Sequence, residues 1–165
     1  MLDREELLDE ILESAVENEM KYFGCSQAVL GTLQENFSEV SADVFKAGSA
    51  LAGGVARQGE TCGALIAAIM AIGSVMGREK LEDLEQYQKA VEPAIQVYNT
   101  FKEKVGHTLC SEIHKNRFGK AFRLYIPEER EAFEAAGGHK REGCPEVCGI
   151  AARIAAKAIL DIKRS

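Results

Sequence analysis

The sequence contains no tryptophan, only 3 prolines and few aromatic residues, 7% of the chain. Scarce proline leaves room for long unbroken helices. Strand signals are missing as well: nothing alternates apolar and polar residues over a strand's length, and no Asn-Gly turn joins two such segments. The predicted fold class is therefore all-α. No apolar run reaches membrane length. The longest, Cys62 to Gly77, is shorter than the roughly 20 residues a span requires and predicts a buried core helix. The opening segment, "MLDREELLDE", is acidic, unlike a secretory signal. These absences predict no membrane partner and a cytoplasmic location. Positive charge is in deficit, 20 Lys and Arg against 26 Asp and Glu, for a net charge of -6. An acidic chain cannot neutralise phosphates, which argues against a nucleic-acid partner. No Walker loop and no His-Glu-x-x-His occurs, and Gly53-Gly54 follows a helix, so it is not a dinucleotide fingerprint.

What is present is helical periodicity and helix punctuation. A chain of 165 residues is expected to form one domain, residues 1–165, with a core that needs no disulfide staples. The pattern predicts a multi-helix bundle of about eight helices. The first runs from about Asp3 to Tyr22 and ends at Gly24. The second covers Ser26 to Asn36. The third starts near Ser41 and ends at Gly53-Gly54. The fourth spans Thr61 to Gly77, with Thr61 as its cap. The fifth spans Leu81 to Lys104, with Pro93 able to kink it. The sixth runs from Thr108 to before Gly119, and the seventh from Pro127 to Gly137-Gly138. The eighth starts at Cys144-Pro145.

Four of the 5 cysteines fall in the first turns of helices two, four, six and eight: Cys25, Cys62, Cys110 and Cys144. Helix N-termini present unpaired N–H groups and partial positive charge, which favour thiolate and are expected to lower the cysteine pKa. If consecutive helices pack antiparallel, the four starts share one end of the bundle. They then form one thiolate site. In a cytoplasmic protein, such cysteines point to metal or redox chemistry. Cys148, one turn after Cys144, sits in a small-residue apolar stripe, which predicts core packing. A reserve ligand or resolving thiol is its functional alternative. His107, Cys110 and His114 stand at helical spacing, which permits a mixed Cys/His site. Their polar neighbours, Lys115 to Arg117 beside His114, favour solvated surface histidines instead. His139 is expected in a loop.

The segments "YFGCSQAVLGTL", "GGVARQGETCGALIAA", "FKEKVGHTLCSEI" and "CPEVCGIAA" together resemble the C_GCAxxG_C_C redox-active protein family. The family cysteines match Cys25, Cys62, Cys110 and Cys144, and Cys148 falls where the family has an apolar residue. Ala67 departs from the pattern, which carries glycine near that point, but no cysteine is lost. The family is similar to a domain of split-Soret cytochromes, in which four cysteines hold an iron–sulfur cluster in a dimeric protein. No Cys-x-x-Cys-His haem site occurs here. The resemblance therefore implies a cluster-binding domain without haem. The expected cofactor is an iron–sulfur cluster, with [2Fe–2S] preferred, serving electron transfer or redox sensing with an electron donor or acceptor as partner. A metal-free thiol–disulfide protein and a structural four-cysteine zinc protein are the alternatives. The small-residue faces "ALIAAIMAIG" and "AARIAAKAIL", with dimeric relatives, predict a homodimer.

Overall fold

The computed structural model describes residues 3–164. It is all-α, with helices α1 (Arg4–Tyr22), α2 (Cys25–Asn36), α3 (Ala42–Ala47), α4 (Gly63–Met76), α5 (Leu84–Val105), α6 (Cys110–Phe118), α7 (Pro127–Ala135) and α8 (Cys144–Ile162). Among the described residues no strand forms, and the one isolated bridge pairs Thr61 with Leu109. No helix among them is long and apolar enough to cross a membrane.

Local chemistry sets the helix ends. The α1 start is a capping box, in which Glu6 N–H donates to the Asp3 carboxylate and Asp3 N–H donates to Glu6, each at 2.9 Å. Asp83 caps α5, so that helix begins at Leu84 rather than Leu81, and it continues through Pro93 as one element. The third helix stops well before the expected glycine pair. It ends at Ala47, tightens into a 3-10 turn over Gly48–Ala50, and gives way to a left-handed turn. Gly53, Gly54, Val55, Ala56 and Arg57 have φ of 67°, 71°, 59°, 50° and 65°. Such a run is costly for the three non-glycine residues, so tertiary contacts must hold it.

Helix α8 is the centre of the bundle. It packs against α1, α2, α4 and α5 through Ala151, Ala152, Ala155, Ala156 and Ile159, all fully buried. Its small side chains let neighbours approach closely. A Cβ on Gly149 would lie 2.7 Å from Val16 of α1. Leu8 and Ile11 of α1, Leu30 and Leu33 of α2, Leu65 and Ile72 of α4 and Phe101 of α5 complete the core. Each contributes about 1.5–3 kcal/mol by leaving water. The alanine faces of α4 and α8 are thus covered within the chain. The large apolar side chains left exposed include Leu84, Tyr87, Ile95 and Tyr98 along α5.

Candidate functional site

Helices α2, α4, α6 and α8 each present a cysteine at their start. Cys25, Cys110 and Cys144 are the first helical residues of α2, α6 and α8, and Cys62 itself is the N-cap of α4. Thr61, expected to be that cap, is instead held in the bridge to Leu109. The bridge clips two sites together. Cys62 N–H donates to the Thr108 carbonyl at 2.8 Å, and Cys110 N–H donates to the Glu60 carbonyl at 2.7 Å.

Cys25, Cys62, Cys110 and Cys144 all line one cavity of about 400 Å³. In every pair among them the sulfurs are near enough that ionising one would raise the proton affinity of the other. All four are free thiols, as is Cys148. Backbone N–H groups reach two of the sulfurs: Gly53 donates to Cys25, and Ala64 and Leu65 donate to Cys62. Two glycines are required for this approach. A Cβ on Gly63 would lie 2.8 Å from the Cys25 sulfur. One on Gly54 would lie 2.7 Å from Cβ of Cys110. The left-handed turn forms part of the wall through Gly53 and Arg57.

The expected lowering of the cysteine pKa is reversed. Burial pushes all four thiols up, Cys110 to about 12, with neighbouring sulfurs adding to the rise at Cys25, Cys110 and Cys144. At Cys62 the backbone donors oppose the shift without cancelling it. Desolvation of the anion outweighs a helix terminus once the group is buried.

The histidines also depart from expectation. His114 is not a surface residue but is 1% exposed. Its Nε2 lies 3.6 Å from the Cys110 sulfur and 3.9 Å from the Cys144 sulfur. Phe118, Phe122 and Phe133 surround its ring, and its Nδ1 is buried without a partner. Burial lowers its pKa from 6.5 to about 4, with a smaller contribution from His139, so it is neutral. His107 stays outside the cavity, where its Nδ1 accepts from Leu109 N–H at 3.0 Å. His139 lies in the loop before α8, as expected, but faces the cavity and pairs with Glu19. Glu19 went unremarked in the sequence. The signal was there: Leu8, Ile11, Ala15 and Glu19 follow helical spacing, so a carboxylate occupies an apolar stripe.

Cys148 packs in the core with no exposure, its sulfur 3.8 Å from the Cys25 carbonyl oxygen. Among the described residues, no group of three or more His, Cys, Asp or Glu is gathered around a single metal-ion position. The four cysteines line one shared cavity.

No curated protein and no solved structure matches the chain. A family model does, over residues 23–158, a span that includes all five cysteines. Its description is "Putative redox-active protein (C_GCAxxG_C_C)", and the chain belongs to this redox-active protein family.

Proposed function

We propose that Cys25, Cys62, Cys110 and Cys144 hold an iron–sulfur cluster, and that the protein works in electron transfer or redox sensing. The carrying observation is that four free thiols from four separate helix starts open on one largely apolar cavity. The residues fit such a group. Four cysteines are the common donor set for iron–sulfur clusters. Gly63 keeps the space beside the Cys25 sulfur clear of a side chain, and Gly54 does the same beside Cβ of Cys110. A bound cluster would accept and release electrons at a potential set by nearby charge and hydrogen bonds.

The chain's own groups then have definite tasks. Backbone N–H groups of Gly53, Ala64 and Leu65 donate to thiolate and offset negative charge. Nε2 of His114, as the N–H tautomer, is within reach of both Cys110 and Cys144, which orients the two sulfurs. The phenylalanines around it exclude water from that side. Without metal, burial keeps the thiols protonated, and the protons leave when metal binds.

Zinc is less well served. A structural zinc ion would use all four thiolates at about 2.3 Å from one centre, but a chain with a core this large needs no metal staple to fold. Thiol–disulfide exchange is less well served too, because it needs thiolate and burial opposes it. The working form is [2Fe–2S], the partner an electron donor or acceptor protein, and the setting the reducing cytoplasm, in keeping with five unpaired cysteines. Anaerobic purification of single Cys→Ser variants tests the assignment. Iron and acid-labile sulfide are expected in the wild type and lost in each of the four. A colourless wild type, or zinc in place of iron, rejects the reading.

A further inference from the structure

The proposed cluster site uses the thiols and leaves a buried acid unexplained. Glu19 is only 2% exposed, and its Oε2 is buried with no hydrogen-bond partner. Its Oε1 lies 3.2 Å from Nδ1 of His139. The two residues are 120 positions apart in sequence, so the tertiary fold builds the pair. The His139 side chain is 25% exposed, and its ring centroid lies 4.2 Å from that of Phe23 and 5.1 Å from that of Phe133. Glu19 thus touches the interior, His139 touches water, and both line the cavity that holds the four cysteines. A carboxylate in an apolar stripe is expensive, and leucine or methionine would fill the space without that cost.

We propose that Glu19 and His139 form a proton-accepting dyad that takes up one proton for each electron the redox centre gains. This rests on the cluster reading above. An added electron raises negative charge inside a low-dielectric cavity, and the proton affinity of nearby buried groups rises in response. Glu19 is the acid whose charge reaches Cys25, Cys62, Cys144 and Cys148. The other groups around the cavity are poor alternatives. Arg57 and Arg130 present only N–H donors and have no acceptor for a proton. Glu131 and Glu134 of α7 are exposed and screened by water. His114 of α6, beside Cys110, is walled from solvent by aromatic rings. Burial also holds the Glu19 carboxyl above the usual carboxylate range, against the pull of His139.

The balance is simple. On reduction, one electron enters the centre from the donor protein, and one proton passes from water to the dyad, entering at the exposed His139 edge. On oxidation both leave. Nothing else is made or broken.

The test is the reduction potential of the anaerobically purified protein as a function of pH, with iron and sulfide measured on every sample. One proton per electron means a tenfold change per pH unit, so the wild-type potential should fall by up to about 59 mV per unit as pH rises. Glu19→Gln and His139→Gln should each retain iron and sulfide while the slope flattens. A pH indicator in unbuffered solution should register uptake of one proton per electron in the wild type and none in Glu19→Gln. A flat wild-type profile with the cluster present overturns the dyad and leaves the cluster reading intact. A slope that persists in both variants overturns the assignment to these residues. Should Glu19→Gln fail to fold, His139→Gln carries the decision. A wild type without iron and sulfide removes the cluster reading and this inference together.

Discussion

Gly54 ties the architecture to the chemistry, and its replacement by alanine offers a quantitative check. Gly54 sits in the left-handed turn at φ 71°. An alanine there costs about 1–2 kcal/mol in backbone strain alone. Its Cβ would also lie 2.6 Å from both the N and the O of Glu60 and 2.7 Å from Cβ of Cys110. The Glu60 carbonyl accepts from Cys110 N–H, so it cannot move without loosening the clip between α4 and α6. Overpacking of this kind adds about 1–3 kcal/mol. The sum, about 2–5 kcal/mol, should lower Tm by about 5–15 °C in a domain of this size. Thermal unfolding of the metal-free protein, followed by circular dichroism, measures the loss. Iron content should fall in the same variant, because Cys110 is displaced. Gly73→Ala is the control: it lies on an exposed helical face with nothing within 4 Å, and should stabilise by about 0.5–1 kcal/mol. An unchanged Tm and full iron in Gly54→Ala would refute the packing argument.

Cys62→Ser should abolish cluster binding while far-UV circular dichroism stays helical, since the core of α1, α2, α4, α5 and α8 stands without metal; gross loss of helix would contradict this. Cys148→Ala should keep the cluster and cost about 1 kcal/mol or somewhat more for a small buried cavity, read from urea unfolding. His114 makes stability depend on pH. Its folded pKa of about 4 lies below the ordinary 6.5, so the unfolded chain takes the proton first as pH falls. Stability present above pH 6.5 is lost progressively down to about pH 4, by roughly 3 kcal/mol at most. Comparing wild type with His114→Phe across that window isolates the effect, and identical slopes would argue against it.

The sequence made the helix starts legible because caps, glycines and proline are local signals. Cys144-Pro145 and Gly24-Cys25 marked their helices to within a residue. What eluded it depends on tertiary surroundings. His114 stands among Lys115, Asn116 and Arg117, yet its helix turns it inward with Cys110 and Ile113, and the phenylalanines that enclose it arrive from 4 to 19 residues further on. Local dipole reasoning gave the wrong sign for the cysteine pKa because burial is a property of the assembled bundle. The left-handed turn was equally hidden. Two glycines announced a break, but nothing in Val55, Ala56 and Arg57 announced positive φ.

The central claim is that one multi-iron group spans Cys25, Cys62, Cys110 and Cys144. Iron-edge X-ray absorption on anaerobically purified protein addresses it most directly, because it reports metal identity and neighbours in one spectrum. The account predicts iron in a shell of sulfur with a second iron beyond it. Iron without an iron neighbour, or zinc surrounded by four sulfurs, would contradict it.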